Sequence, residues 1–182
     1  MTRHLETRVL AVDARRNRFG YVLFEGPERL LDWGGSEIPP GLNDRAAVGK
    51  ARYRIRSMLK LRHPMVVVLK RPRRAMTGKI SARGPVLKAI VSEATGLQIP
   101  THFVSRKEIS EAFRILPGHS KYDIANRLVQ LFPELVIRLP PRRKAWQSEP
   151  RSMIVFDAVA AGFAYWRRNG IHLALPDGEC AP

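Results

Sequence analysis

Three charged residues stand where the surrounding sequence is apolar. Asp13 closes the run Val9-Leu10-Ala11-Val12, Lys70 follows Met65-Val66-Val67-Val68-Leu69, and Asp157 interrupts Met153-Ile154-Val155-Phe156 and Ala158-Val159-Ala160-Ala161. An ionised carboxylate on an apolar helical stretch is costly without a partner, so Asp157 must face a cation, a metal or a polar cleft. Carboxylates brought together in this way suit divalent metals that assist phosphoryl transfer. Such ions take oxygen ligands, polarise the phosphate and generate hydroxide. Other readings of the same residues stay open: Asp13 capping the turn Arg15–Arg18, or Asp157 in a structural salt bridge with Lys70 or an arginine. His119, in Pro117-Gly118-His119-Ser120, reads as a loop residue ahead of a helix cap rather than a base. No Ser/His/Asp arrangement, phosphate-binding glycine loop or histidine metal cluster stands out.

The charge distribution names a class of partner. The chain of 182 residues carries a formal charge of +16 and a pI near 11.1. No acidic residue occurs between Asp44 and Glu93, a stretch with fourteen lysines and arginines. Such a surface suits a polyanion, and nucleic acid is the expected partner. Arg71, Arg73, Arg74, Lys79 and Arg83 surround Pro72 and Gly78, as in a loop, and would contact phosphates without reading sequence. A second cluster, Arg142-Arg143-Lys144, leads to Trp146, which either stacks on an unpaired base or packs under the last helix. A membrane-bound amphipathic helix would need a broad apolar face opposite these charges, and the segment lacks one. A scaffold that meets a protein or membrane through its basic face is the remaining reading.

Composition narrows the class further. Apolar residues make up 45% of the chain, enough for one sizeable core. No apolar run approaches the ~20 residues of a membrane span, and the first residues lack the apolar stretch of a secretory leader. The lone Cys180 permits neither an internal disulfide nor a cysteine-built zinc site. The expected setting is reduced and cytoplasmic.

These residues need elements to position them. Residues 7–13, 20–25 and 29–33 read as three short strands with tight connections, an antiparallel meander. Val48, Ala51, Ile55, Met58 and Leu59 fall at helical spacing over 45–61, and the β-branched run 65–69 suits a strand buried on both faces. Pro85 opens a helix that Gly96 ends, followed by a strand over 99–104. Ser105 and Glu108 form a capping-box pattern at the start of the next helix, Ser120 opens another, and a basic linker covers 137–148. A long last helix runs from Pro150 to Gly170. Strand–helix–strand crossovers make the first, fourth and fifth strands parallel neighbours. The fold class is therefore α/β, a five-stranded mixed sheet with helices on both faces. The domain is expected over 1–170, with a loose tail over 171–182. In open α/β sheets ligands bind beyond the carboxyl ends of parallel strands, where Asp13 and Lys70 would meet.

The run Val9–Tyr21, with Asp13 ending a strand and Gly20-Tyr21 opening the next, resembles the start of RuvC-type Holliday junction resolvases. Ser105–Val129, including Gly118-His119-Ser120-Lys121, resembles the family's paired helices, and Asp157-Ala158-Val159-Ala160-Ala161-Gly162 resembles its last helix. The resemblance implies a ribonuclease H-like fold over about residues 7–168. It further implies a homodimer that acts on branched DNA rather than RNA, with Mg²⁺ or Mn²⁺ held by Asp13 and Asp157.

Two positions depart from that pattern. Where the family has a catalytic Glu at the end of the fourth strand, this chain has Lys70. Where it has an Asp three residues before the last one, this chain has Ile154. Glu149 and Asp123 stand as replacements away from the expected places. A lysine beside Asp13 repels a divalent cation by several kcal/mol at contact distance, which argues against a two-metal site. A one-metal site on Asp13 and Asp157, direct contact of Lys70 with the scissile phosphate, or Lys70 holding the aspartates together without metal all remain. Two functions follow: a metal-dependent, structure-selective endonuclease, or a nucleic-acid-binding protein that kept the fold and lost the chemistry.

Overall fold

A computed structural model describes residues 7–15, 18–37, 44–71, 84–114, 120–144 and 146–171. In chain order these form β1 (Arg8–Ala14), β2 (Arg18–Glu25), β3 (Arg29–Glu37), α1 (Asp44–Arg62), β4 (Val66–Lys70), α2 (Gly84–Gly96), β5 (Thr101–Val104), α3 (Arg106–Ala112), α4 (Lys121–Leu131) and α5 (Met153–Arg168), with a 3-10 turn over Pro133–Arg138 between the last two. The strands form one sheet in the order β3-β2-β1-β4-β5. The β1–β2 and β2–β3 pairs are antiparallel, and β1–β4 and β4–β5 are parallel. The expected mixed sheet is therefore the observed one.

Alternation along the strands divides two cores. Val9 and Ala11 of β1, Val22 and Phe24 of β2 and Val68 of β4 pack against α3, α4 and α5. Leu10, Val12, Ala14, Phe19, Leu23, Val67 and Leu69 pack against α1 and α2. The period of two puts Asp13 and Lys70 on the α5 face at the carboxyl edge of the sheet. α5 comes close to the sheet at Gly162, where there is no side chain. A Cβ at Gly162 would run into the Phe24 ring and lie 3.1 Å from the Ala11 Cβ.

Helix ends follow their sequence signals. Ser105 and Glu108 form the expected capping box on α3, with Ser105 N donating to Glu108 Oε2 at 2.7 Å. α4 has the same device: Ser120 Oγ accepts from Asp123 N at 3.2 Å, and Asp123 Oδ2 accepts from Ser120 N at 3.1 Å. Several expected bounds need correction: β2 already starts at Arg18, β3 runs through Gly34 and Gly35 to Glu37 because both pair with β2, and β5 starts only at Thr101. β4 begins at Val66, and Met65 is exposed because it precedes the buried part of the ladder. α5 starts at Met153, since Pro150, Arg151 and Ser152 form a turn closed by the Met153 N–H on the Pro150 carbonyl. Part of the linker read over 137–148 belongs to the 3-10 turn. His119 and the tail after Ile171 lie outside the described residues.

Candidate functional site

Asp13, Lys70 and Asp157 converge at one cleft. The parallel β1–β4 register pairs Val12 with Leu69, so the next residues, Asp13 and Lys70, lie side by side at the strand ends. α5 crosses this edge and carries Asp157 to it. Asp13 is 1% exposed and Asp157 8%. The Lys70 ammonium pairs with Asp157 Oδ1.

Three further residues complete the cluster. Arg15, one step past β1, donates through Nε to Asp13 Oδ2 at 3.2 Å, and through Nη2 to Asp157 Oδ2 at 2.7 Å and Glu149 Oε1 at 3.0 Å. Lys121, the first residue of α4, donates to Asp157 Oδ2 at 2.8 Å and Glu149 Oε1 at 2.7 Å. Three carboxylates thus meet three cations, and their formal charges cancel. One guanidinium bridges all three carboxylates, drawing on the fork geometry that makes arginine suited to multiple acceptors.

The electrostatics favour the ionised forms. Burial acts to raise the Asp157 carboxyl, but Lys70 and Lys121 outweigh it and hold it below the ordinary carboxylate range. Burial likewise acts to raise Glu149, and Lys121 and Arg15 bring it below its ordinary value. Burial acts to lower Arg15, yet Asp13, Glu149 and Asp157 together raise it further.

Of the two carboxylates read as replacements, Glu149 joins the cluster and Asp123 does not. Asp123 serves the α4 cap instead. Ile154, at the family's acidic position, is buried and packs its Cγ2 toward Gly20 and Gly35. Among the described residues no group of three Asp, Glu, His or Cys side chains is arranged to hold a metal.

The basic segments fall in two places. Arg142, Arg143, Lys144 and Trp146 are exposed on the irregular segment that precedes Glu149 in the chain. Trp146 is 79% exposed, with Lys144 Nζ 5.3 Å from its ring centroid, so it does not pack under α5. Arg71 is exposed just past β4, with its N–H on the Val104 carbonyl. Arg73, Arg74, Lys79 and Arg83 lie outside the described residues.

No protein-family model matches the sequence, and a comparison with curated proteins finds no match. Solved structures do share its architecture. Thermus thermophilus RuvC in complex with a Holliday junction substrate superposes with a TM-score of 0.69 at 17% identity, covering 90% of this chain and 96% of that one. The fold is RuvC-like. A second structure of Thermus thermophilus RuvC gives 0.68, also at 17% identity, over 90% of this chain and 97% of that one. The yeast mitochondrial Holliday junction resolvase Ydc2 gives 0.55 at 14% identity, over 91% of this chain and 80% of that one. The RuvC-like sheet and α5 supply the frame in which Asp13 and Asp157 meet. Arg15 and Lys121 were not read as site residues from the sequence. Their signals in the sequence are Arg15's position two residues after Asp13 and Lys121's place at the end of the Gly118-His119-Ser120-Lys121 stretch. No helix among the described residues is long and apolar enough to cross a membrane.

Proposed function

We propose that this protein binds branched DNA through its phosphates and does not hydrolyse it with a bound divalent metal. The observation that carries this reading is the pairing of Asp157 with Lys70, Lys121 and Arg15. A hard divalent cation needs carboxylate oxygens as ligands. Here the oxygens of Asp157, Asp13 and Glu149 accept from ammonium and guanidinium groups, and three positive charges line the same space. The residues present therefore do not fit Mg²⁺ or Mn²⁺. Lys70 acts as a clasp between β4 and α5, and Arg15 bridges Asp13 to Asp157.

Binding is supported by the +16 charge and by the exposed Arg142, Arg143, Lys144 and Trp146 on the segment that precedes Glu149. Arg71, Arg73, Arg74, Lys79 and Arg83 extend the phosphate-contacting surface on the strength of their charge. The choice of branched DNA over RNA draws on the RuvC structure, which holds a Holliday junction substrate.

The test is fluorescence anisotropy with labelled four-way junctions, linear duplex, single strands and RNA over a range of KCl, with parallel cleavage assays in Mg²⁺ and Mn²⁺. The expected result is preferential, salt-sensitive junction binding without strand scission. Cleavage that vanishes in Asp13→Asn would overturn the metal-free reading. Failure to bind any nucleic acid would overturn the binding reading and favour a protein or membrane partner.

A further inference from the structure

A second cluster lies across the sheet, on the α1–α2 face. α1 carries Arg45, Arg52, Arg56 and Lys60 at spacings that form one stripe along its surface. Beside it, Glu93 of α2 is only 5% exposed. Its two oxygens accept separately, from Arg52 Nε at 2.9 Å and Arg56 Nε at 2.6 Å. Burial acts to raise this carboxyl, and the two arginines overcome it, so Glu93 stays ionised.

The geometry exceeds what a structural ion pair needs. One carboxylate holds two guanidinium groups, which leaves an excess positive charge that Lys60 enlarges. Both arginines meet Glu93 through Nε, the inner nitrogen of each fork. Their side chains remain 49% and 60% exposed. Arg52 Nη2 is further steadied by Ser92 Oγ at 3.3 Å. Arg52, Arg56 and Glu93 line a groove of about 400 Å³ with Gly49 and Tyr53, and they line an adjoining groove with Lys60 and Ser92. A Cβ at Gly49 would meet nothing within 4 Å, so that wall is open. A guanidinium fork fixed at its base is pre-organised for phosphate oxygens, since little rotamer freedom is left to lose on binding.

We propose that the α1–α2 groove is a second clamp for the backbone of duplex DNA, with Arg52, Arg56 and Lys60 on the phosphates and Glu93 as the positioning residue that aims the two arginines. The inference rests on the DNA-binding reading above and extends it. α1 and α2 cover the sheet face opposite α5 and its charged cluster, so one chain would engage two separate duplex segments, as the arms of a junction provide.

The test measures junction affinity against KCl for the full chain and for Lys60→Gln, Arg52→Gln/Arg56→Gln, Arg52→Lys/Arg56→Lys and Glu93→Gln, with melting curves as the folding control. Each phosphate contact contributes roughly 0.9 to the slope of log K against log salt. Lys60→Gln, an exposed position, is expected to lower the slope by about 0.9 and the glutamine pair by about 1.8. The lysine pair is expected to keep the wild-type slope while binding more weakly, because charge survives and the fork does not. Glu93→Gln is expected to weaken binding while leaving the slope unreduced. Unchanged slope and affinity in both Lys60→Gln and the glutamine pair, with the wild type still binding, would overturn the clamp alone. Saturation of the groove by inorganic phosphate, with DNA binding unaffected by these substitutions, would also overturn it. A wild type that binds no DNA would remove the underlying reading and this one with it.

Discussion

Gly20 of β2 pairs with Asp13 of β1, and α5 passes over it so closely that a Cβ there would overlap the Ile154 carbonyl. The neighbour is main chain, which cannot rotate away, so α5 itself would have to lift. Gly20→Ala is expected to destabilise the protein by about 1–3 kcal/mol, the usual cost of overpacking. For a chain of this size that lowers Tm by roughly 2–4 °C per kcal/mol. Gly49→Ala in α1 has open space and is expected to leave Tm unchanged or raise it, since Ala exceeds Gly in helix propensity by up to about 1 kcal/mol. Differential scanning calorimetry on the two variants measures both effects, and equal losses in both would contradict the close approach.

Lys70 governs the response to divalent ions. A ligand that binds the folded state raises Tm by mass action. The wild type, with Asp157 occupied by cations, is expected to melt at the same temperature in millimolar Mg²⁺ and in EDTA. Lys70→Glu replaces one of those cations with a carboxylate beside Asp13 and Asp157. It is expected to lose stability in EDTA, because breaking a buried ion pair costs about 3–5 kcal/mol, and to regain part of it with Mg²⁺. A wild-type protein that is itself stabilised by Mg²⁺ would contradict the clasp.

Acid should undo the cluster. Asp157 and Glu149 are both held below their ordinary carboxylate values in the folded protein, against the pull of burial, by Lys70, Lys121 and Arg15. A depressed folded-state value contributes stability that is fully present above the unfolded value of about 4 and is lost as pH falls through the folded value. Tm is therefore expected to be insensitive to these groups between pH 5 and 7, on the scale of ordinary carboxylate titration at about 4, and to fall below it. Glu149→Gln, which removes one of the two groups, is expected to show a shallower acid loss. Parallel Tm–pH profiles that superpose would contradict the assignment.

Much of this architecture was legible because it rests on local patterns. Two crossovers, 66–70 to 101–104 and 8–14 to 66–70, fixed the parallel neighbours, and the strand-end rule then placed Lys70 next to Asp13. The charge of Asp157 within an apolar helix announced a partner, although not which of several cations it would take. Arg15 escaped because a basic residue after a strand looks like turn surface; only the fold shows that it points back into the cleft. Glu149 sits on an irregular segment with no periodicity to orient it. Asp123 illustrates the reverse: a carboxylate three residues after a serine serves the helix cap before anything else. The Glu93 clamp was equally hidden, since α1 and α2 are separated by β4 in sequence and become neighbours only when both pack on the same sheet face.

Trp146 offers the most direct optical view of binding. Trp166 is 2% exposed and Trp33 is partly buried, whereas Trp146 is 79% exposed and has Lys144 against its ring. It stands three residues before Glu149 in the chain, and its exposed ring is open to stacking by an unpaired base. Base–aromatic stacking is worth ~1–3 kcal/mol per base. Four-way junctions or single strands are therefore expected to quench the exposed tryptophan emission, and Trp146→Ala to weaken their binding by roughly 5- to 150-fold. Linear duplex, with its bases already stacked, should bind the variant as it binds the wild type. The Tm of the variant should not move, because so exposed a ring supports no core. Equal weakening on duplex and junction would mean that Trp146 acts by holding the Arg142–Lys144 segment in place rather than by stacking.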